Sequence, residues 1–317
     1  MRPAQAGDFD AVLDLIAACD IEEFGRRDYD AADLRDDWSF APLEDISRVL
    51  VDAGDQIVGY AHAFDRVAVR PTGAVYTHPA HRGRGIGTAL TRWLTERALA
   101  RLDGAPPGAR VLLEFGASAD NASAMDLLRN EGFEPHRYML RMSIDLEHET
   151  PAPAPPPGIV VGTFNEATDA RATYEAVEES FSDHWGHTPR PYEMWEQYAL
   201  RRPNHDPSLW FIARSGHEIA GVALCSDHPE IDDGFINTVG VRRPWRRTGV
   251  AMALLLCAFA AFRERGRARA SLGVDAQSLT GATRLYERAG MRVVHRFAMC
   301  AKEIRPGIDT TVQELAG

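Results

Sequence analysis

The sequence predicts a mixed α/β (α+β) protein with two domains in tandem, each a central mixed β-sheet flanked by helices. With 317 residues, 45% hydrophobic and 26% charged, the chain has a globular composition and more length than one hydrophobic core usually serves. Five prolines in the nine residues 150–158 favour an extended spacer, because proline cannot enter the interior of a helix or a sheet. The same order of predicted elements lies before and after this spacer, which indicates an internal repeat.

The first copy, residues 1–149, begins with a helix over 8–24, where apolar residues recur at spacings of three and four. Apolar runs on either side of the turn 53–55 predict a hairpin over 48–65. The other elements of this copy are a strand at 73–78, a helix that follows a glycine-rich turn and ends near Leu102, a strand at 110–118, a helix at 121–133 and a strand at 136–145.

The second copy, residues 159–317, repeats this order after the spacer 150–158. Its predicted elements are a helix at 166–181, a hairpin at 209–227, a strand at 234–241, a helix after a basic turn, a strand at 270–277, a helix at 280–291 and a strand at 295–304. Gly59 corresponds to Gly221, so the repeat is one domain long and indicates a tandem duplication, not a solenoid.

Charge and composition exclude several classes of function. A net charge of −11 argues against a nucleic-acid partner, which would require a basic face. The longest apolar run, Val250–Phe262, is too short to span a bilayer, and no basic-then-apolar leader opens the chain. The four cysteines lack metal-type spacing, so we expect reduced thiols in a cytoplasmic protein and no bound metal. We also expect a monomer or homodimer that does not bind a membrane.

Two basic turns each lead into an apolar helix, and this arrangement predicts an anion site. The first turn of a helix has unpaired N–H groups and a partial positive charge, and glycine lets the backbone approach a phosphate closely. The residues of the turns are Arg82, Gly83, Arg84, Gly85, Ile86 and Gly87 in the first copy and Arg246, Arg247, Thr248, Gly249, Val250 and Ala251 in the second. A plain connector is the alternative for either turn alone. Neither the P-loop nor the dinucleotide-binding fingerprint is present.

The surroundings of these turns resemble the GCN5-related N-acetyltransferase (GNAT) superfamily. The resemblance rests on "YTHPAHRGRGIGTALTRWL" followed by "NASAMDLLRNEGF", and on "VGVRRPWRRTGVAMALL" followed by "TGATRLYERAGM". It covers nearly the whole chain, and the tandem layout is similar to that of the mycothiol synthase family and related actinobacterial acetyltransferases. The resemblance implies a splayed sheet in each domain and acetyl-CoA as cosubstrate.

In that superfamily the turn wraps the pyrophosphate of acetyl-CoA, and backbone groups of the preceding strand hold its pantetheine arm and acetyl carbonyl. The positions that this resemblance implies are Val239 and Val241 in the second copy and Val75 and Thr77 in the first. An asparagine before the late helix often contacts the cofactor. The first copy keeps it as Asn121, whereas the second has Ser278.

Direct attack of an amine on the thioester needs one group to take a proton from the ammonium and another to return one to the CoA thiolate. The resemblance implies a tyrosine of the late helix as general acid, since a phenol is neutral at pH 7 and can donate. Tyr286 occupies this position in the second copy, and the apolar Leu128 occupies it in the first. We therefore expect the second copy to be catalytic. The first copy either binds acetyl-CoA without catalysing or keeps its turn as a structural relic.

The general base is not evident from the sequence. Some relatives place a glutamate on the strand before the turn, where this chain has Phe235. Asp232 and Asp233 precede it and could act through a water, although solvated turn carboxylates are an equal alternative. His184 has a suitable intrinsic pKa and is the third candidate.

The resemblance implies that a helix–loop–helix segment near the start of each copy covers the acceptor. In the second copy this segment contains Asp183, His184, Trp185 and Tyr192, a polar and aromatic mixture that suits a small polar amine. Tryptophans that cap the core are the alternative. The corresponding segment of the first copy, Asp20–Trp38, is much more charged, and we interpret it as a solvated face.

The predicted function is acetyl transfer from acetyl-CoA to a primary amine of a small molecule. The acceptor stays open between a thiol-sugar amine, as in mycothiol biosynthesis, and an antibiotic or toxic amine. The alternative function is a non-catalytic module of the same fold that senses acyl-CoA or scaffolds a partner.

Overall fold

The computed structural model describes residues 1–64, 67–148, 151–202, 205–278 and 281–310. Within them the chain forms two compact units: unit 1 contains Met1–Met139 and Arg296–Thr310, and unit 2 contains Leu140–His295. The boundaries 1–149 and 159–317 of the two sequence copies stay a prediction. Parts of several predicted segments, namely Asp65, Glu149, Thr150, Thr280 and 311–317, lie outside the described residues.

The predicted helices and strands occur in the predicted order, and the structure adds a short helix at 43–46 and a strand at 160–163 that were not predicted. The helices are α1 (Phe9–Phe24), α2 (Ala31–Ser39), α3 (Leu43–Ile46), α4 (Ile86–Ala100), α5 (Ala122–Asn130), α6 (Glu166–Phe181), α7 (Tyr192–Ala199), α8 (Val250–Glu264) and α9 (Ala282–Arg288). The strands are β1 (Ser47–Val51), β2 (Ile57–Phe64), β3 (Thr72–Thr77), β4 (Val111–Ser118), β5 (Glu134–Asp145), β6 (Val160–Thr163), β7 (Trp210–Ser215), β8 (Glu218–His228), β9 (Asp233–Val241), β10 (Arg269–Asp275) and β11 (Arg292–Arg305).

Unit 1 has a mixed sheet in the order β1-β2-β3-β4-β11. The first three strands are antiparallel, β3 and β4 are parallel, and residues Phe297–Arg305 of β11 run antiparallel to β4. Alternation along β2 sends Ala61 and Ala63 to a core that α4 and α5 cover, and Tyr60 to a second core beneath α1 and α2. Helices therefore cover both faces of the sheet, as the sequence predicts.

Unit 2 repeats this architecture. Its sheet has the order β5-β10-β9-β8-β7-β6, in which β5 contributes residues 140–145. Ala223 and Cys225 of β8 face α8 and α9, whereas Val222 and Leu224 face α6 and α7. The mixed α/β fold with two tandem, helix-flanked sheets is thereby confirmed.

The last strand of each sequence copy begins in its own unit and continues into the unit that the other copy forms. Residues 296–305 of β11 complete unit 1, where Ala298 and Cys300 are fully buried against α4 and α5. Residues 140–145 of β5 complete unit 2, where the Ser143 hydroxyl lies 3.2 Å from that of Ser271. Each unit therefore contains the end of the other copy's last strand, and for unit 1 that segment comes from the far end of the sequence.

All four cysteines are free thiols, and Cys19, Cys225 and Cys300 are buried, in agreement with the prediction. In the described part of the chain, none of the helices combines the length and the apolar character that crossing a membrane requires.

Candidate active site

The two basic turns have the same backbone conformation. Gly83 and Gly85 have φ values of +75° and +79°, and the corresponding Arg247 and Gly249 have +63° and +99°. An L-residue other than glycine pays about 1–2 kcal/mol in this left-handed region. The second turn thus preserves the shape of the first even where it has lost the glycine, so the shape itself is the shared feature.

Each turn leads into a helix whose first backbone N–H groups have no hydrogen-bond acceptor among the described residues. Gly249 and Gly85 are the N-caps of α8 and α4, and neither supplies a side-chain acceptor. Among the described residues, nothing accepts from the N–H groups of Val250, Ala251 and Met252. By contrast, Asn121 caps α5 and Asn165 caps α6 through their side chains. A helix start with unpaired donors and no cap is suited to a phosphate.

The third glycine of the first turn has a packing role. A Cβ atom on Gly87 would lie 2.8 Å from Leu127 Cδ1, so the helix could not approach α5 as closely with a larger residue. In the second copy Ala251 occupies this position. Glycine number therefore does not measure how well a turn can hold an anion.

The strand before each turn separates from its parallel neighbour. Pairing of β9 with β10 ends at Ile236 and Leu272, although both strands continue. In unit 1, pairing of β3 with β4 ends at Gly73 and Phe115. Beyond these points the edge of β9 that faces β10 and the edge of β3 that faces β4 have no pairing strand, so the backbone groups on those edges can bind an extended ligand. The predicted residues Val239, Val241, Val75 and Thr77 all lie in these separated stretches.

A β-bulge distinguishes the second copy from the first. In the β8–β9 ladder, Leu224 pairs with Thr238 and Cys225 with Ile236, so Asn237 is the extra residue. The β2–β3 ladder has no such shift. Bulges re-aim the strand and concentrate next to active sites. The side-chain amide of Asn237 donates to Ser226 Oγ at 2.9 Å, which fixes the bulge.

Tyr286 lies on α9 in the apolar cluster that also contains Val239, Val241 and Val250. Its side chain is 8% exposed, and burial raises the pKa of the phenol to about 12. The hydroxyl thus keeps its proton throughout the neutral range. It has no hydrogen-bond partner among the residues that the structure describes. Leu128 of α5 in unit 1 is buried as a core residue.

Arg246 and Asp183 are brought together, although the sequence predicted one for the cofactor and the other for the acceptor. Arg246 Nη1 lies 2.8 Å from Asp183 Oδ2, and Arg243 Nη2 lies 2.5 Å from Oδ1. These two guanidinium groups lower the pKa of the Asp183 carboxyl, which is therefore ionised. Arg243 was not predicted as a site residue, and its spacing from Asp183 in the sequence gives no signal.

His184 and Tyr192 lie at either end of the α6–α7 loop, residues 182–191. The His184 ring packs on Phe181 with a centroid separation of 4.3 Å. Burial, and then the charge of Arg246, lowers the pKa of His184, which is therefore neutral at pH 7. Tyr192 packs on Tyr174, and the partly buried Trp185 lies in the loop between them.

Asp232 and Asp233 lie at the start of β9, away from the turn. The Asp232 carboxylate accepts from Ala268 N at 2.9 Å, and Asp233 accepts from Ser271 Oγ at 2.9 Å. Six residues separate Asp233 from Val239, or about 20 Å along an extended strand. Both carboxylates thus tie the start of β9 to β10.

Ser278, predicted as a cofactor contact, follows β10, and its backbone N–H donates to Asp275 O at 3.0 Å.

The charged segment Asp20–Trp38 of the first copy is not the solvated face that its sequence predicts. Asp20, Asp30 and Asp36 are 6%, 2% and 5% exposed. Asp20 Oδ2 accepts from Asp28 N and Tyr29 N, which closes the connection between α1 and α2. The prediction was wrong because Asp20 accepts hydrogen bonds in a loop and Asp30 caps α2, so the charge of these carboxylates does not indicate exposure.

Comparison with known proteins decides the family. The model of the "Acetyltransferase (GNAT) family" matches residues 9–133 and 170–291, which is most of both copies. The chain belongs to the GNAT acetyltransferase family. It is accordingly an acetyl-CoA-dependent N-acetyltransferase with the tandem arrangement that the sequence predicts.

Individual relatives agree with this assignment. The chain is 30% identical over 252 residues to a mycothiol acetyltransferase of Thermobispora bispora, covering 76% of this chain and 79% of that protein. It is 32% identical to that of Thermomonospora curvata, with coverage of 77% and 78%. A solved GCN5-related N-acetyltransferase of Sphaerobacter thermophilus has a TM-score of 0.83 at 39% identity over 97% of this chain and 96% of that one.

A tandem GNAT protein from the clavulanic acid biosynthesis pathway has a TM-score of 0.72 at 17% identity, covering 97% of this chain and 99% of that one. This likeness concerns the fold alone. It indicates that two GNAT domains in one chain form a recurrent arrangement.

Proposed function

We propose that the second copy transfers an acetyl group from acetyl-CoA to the primary amine of a thiol-bearing sugar. The observation that carries this proposal is the combination in unit 2 of an open helix start, a separated and bulged strand, and a buried tyrosine. Unit 1 has the first two features without the bulge or the tyrosine. The acceptor class follows from the mycothiol acetyltransferases that the chain resembles.

The chain's residues suit acetyl-CoA, which supplies the acetyl thioester. The N–H groups of Val250, Ala251 and Met252 would hold its diphosphate, and Arg247 lies on the same turn. The backbone of Val239 and Val241 would pair with the amides of the pantetheine arm, as a missing neighbouring strand would. The first copy can offer the corresponding contacts through Ile86, Gly87 and Val75.

Tyr286 would donate its proton to the departing CoA sulfur. The hydroxyl keeps that proton at neutral pH because burial raises its pKa to about 12. The apolar cluster around it excludes water and leaves the hydroxyl without a competing acceptor among the described residues. General acid catalysis of this kind contributes about 10²–10⁴-fold to a rate.

Among the three candidate bases, His184 fits best. Its pKa is lowered by burial and by Arg246, so the imidazole is free to take the ammonium proton at pH 7. It also lies on the α6–α7 loop, which would cover the acceptor. Asp232 and Asp233 bind the start of β10 instead.

A CoA-release screen with Tyr286→Phe tests this function. Acceptors would be the amine precursor of mycothiol, glucosamine, aminoglycosides and amino acids. With the active amine we expect kcat to fall about 100-fold, because the general acid is lost, while affinity for acetyl-CoA changes little. Tyr138→Phe, a tyrosine of β5 that packs on Arg296, is the control and should keep full turnover. Unchanged turnover in Tyr286→Phe would remove the tyrosine from the mechanism. If none of the amines tested gives CoA release with the wild type, the sensing or scaffold function is favoured.

A further inference from the structure

Asp183 is a buried carboxylate that joins two parts of unit 2. It is 5% exposed and lies two residues beyond the end of α6, at the start of the α6–α7 loop. Both of its oxygens are bonded to arginines of the turn before α8, at 2.5 Å to Arg243 and 2.8 Å to Arg246. Charge-assisted pairs of this length are among the stronger hydrogen bonds in proteins.

Arg246 is fixed at three points. Its Nε donates to Val241 O at 3.2 Å, its Nη1 to Asp183, and its Nη2 to Ser180 O at 3.2 Å. The guanidinium therefore links the end of β9, the end of α6 and the α6–α7 loop. Because each nitrogen has a fixed acceptor, displacement of the turn backbone at Arg246 would pull on Asp183.

The open N–H groups of α8 lie only four to six residues after Arg246. Arg247, between them, has a φ of +63°, which is a strained conformation for an arginine. An anion held by Val250, Ala251 and Met252 would restrain this turn and hence the position of the Arg246 guanidinium. Binding that restrains one segment lowers the entropy cost of ordering a segment coupled to it.

The far side of the α6–α7 loop is also attached to α6. Glu178 Oε2 lies 3.4 Å from His187 Nε2, and the Tyr174 hydroxyl donates to Arg190 O at 2.7 Å. The loop is therefore held at both ends. Among the described residues, its links to the turn before α8 run through Asp183 and, at a longer 3.4 Å, from Arg243 Nη2 to the Ser182 hydroxyl.

In the described part of the first copy, no buried carboxylate ties the basic turn to the α1–α2 segment in this way. Arg82, which corresponds to Arg246, lies 3.7 Å from Glu22, and these side chains are 37% and 57% exposed. A solvent-exposed pair of this kind contributes little. The buried connection is specific to the copy that we propose to be catalytic.

We propose that Asp183 is a positioning residue that couples the pyrophosphate-binding turn to the α6–α7 loop. CoA bound at the turn orders the loop that covers the acceptor amine, and an acceptor in the loop tightens the hold on CoA by the same factor. This inference rests on the proposed function, since it places CoA on the turn of unit 2.

Hydrogen exchange of the full chain, with and without saturating CoA, tests the coupling without any acceptor. In the wild type we expect CoA to slow exchange of the 246–252 amides and also, by at least about fivefold, of the 182–191 amides, as for typical coupling between sites. In Asp183→Asn the protection of 246–252 should remain, while that of 182–191 should disappear.

Two variants make the result specific. Asp206→Asn removes a carboxylate that pairs with Arg265 at 2.8 Å elsewhere in unit 2, and it should behave as the wild type does. Arg243→Gln removes one partner of Asp183 from a side chain that is 56% exposed, so folding is preserved, and it should reduce the loop protection in part.

The outcomes separate the coupling from the proposed function. Protection of 246–252 without any at 182–191 in the wild type would overturn the coupling alone. Equal loop protection in Asp183→Asn would do the same; if that variant fails to fold, unchanged loop protection in Arg243→Gln overturns it. Absence of protection at 246–252 in the wild type would overturn both the proposed cofactor site and the coupling that rests on it.

Discussion

Removal of residues 296–317 is expected to unfold unit 1 while unit 2 stays folded. The truncated chain loses the part of β11 that pairs with β4 from Phe297 to Arg305. It also loses Ala298 and Cys300 from the core beneath α4 and α5, where both are fully buried. The edge of β4 would then present unpaired backbone groups next to an open core.

Polar contacts of the same segment add to this loss. Arg305 donates to the carbonyls of Leu102, Pro106 and Ala109, and the Lys302 ammonium donates to Glu131 O. Removing them leaves the carbonyl acceptors after α4 and α5 without these donors. The whole cooperative stability of the unit, about 5–15 kcal/mol for a domain of this size, is therefore at risk.

The measurement is hydrogen exchange of β2–β4 together with calorimetry of the melting transitions. A chain that ends at residue 310 is the control and should keep the protection of the wild type. Native protection of β2–β4 in the chain that ends at residue 295 would contradict the expectation.

Asp20→Asn is expected to stabilise unit 1 above pH 7. Burial raises the pKa of this carboxyl from 3.8 to about 7, and its hydrogen bonds from Asp28 N and Tyr29 N only partly oppose that shift. Because the folded pKa lies above the unfolded one, stability is lost as the pH rises between about 4 and about 7. Each pKa unit is worth about 1.4 kcal/mol, so the ionised carboxylate costs at most about 4 kcal/mol.

The asparagine keeps a carbonyl oxygen for the two backbone donors and removes the charge. We expect the free energy of unfolding to rise by a few kcal/mol at pH 8 and the gain to shrink as the pH falls from 7 to 4. Denaturant titrations at several pH values would measure it. Asp52→Asn is the control, because hydrogen bonds from Gln56 N and Gly54 N lower the pKa of that carboxyl, so its loss should not stabilise. A gain that is independent of pH would contradict this account of Asp20.

Much of the fold follows from the sequence because its determinants are local. The apolar spacing of 8–24 predicts α1 (Phe9–Phe24), and the turn at 53–55 predicts the hairpin β1–β2. The contrast between Tyr286 and Leu128 is also a local one. Tyr286 packs in one cluster with Val239 and Val241, which is consistent with a place near the predicted cofactor strand. The catalytic role of Tyr286 stays a prediction.

The strand exchange could not be predicted because the two strands are alike. Both strands close their copies and begin alike, with His-Arg-Tyr-Met at 136–139 and His-Arg-Phe-Ala at 295–298, so the sequence does not distinguish their places. Which sheet each one joins depends on long-range packing. The bulge at Asn237 is likewise visible only once the partners of β9 on β8 are known.

Charge was the least informative property. The run Asp20–Trp38 is acidic, yet three of its carboxylates are buried, and two of them, Asp20 and Asp30, accept backbone hydrogen bonds in a loop and at a helix start. The carboxylate of Asp183 is of the type that binds a substrate amine, yet it pairs with Arg243 and Arg246. In both cases the partner lies far away in the sequence or in the backbone, where a residue pattern cannot indicate it.

The central claim is that the second copy holds the cofactor and performs the transfer, and turnover of a matched pair of variants tests it most directly. Gly249 and Gly85 both have positive φ, and no atom would lie within 4 Å of an added Cβ at either position. Glutamate therefore adds similar strain to each turn and places a negative charge beside the open N–H groups. With the active amine, we predict that Gly249→Glu lowers CoA release by at least about 100-fold, in the range of losing a preorganised anion site, whereas Gly85→Glu stays within about threefold of the wild type. The reverse order, or an equal loss in both, would contradict the account.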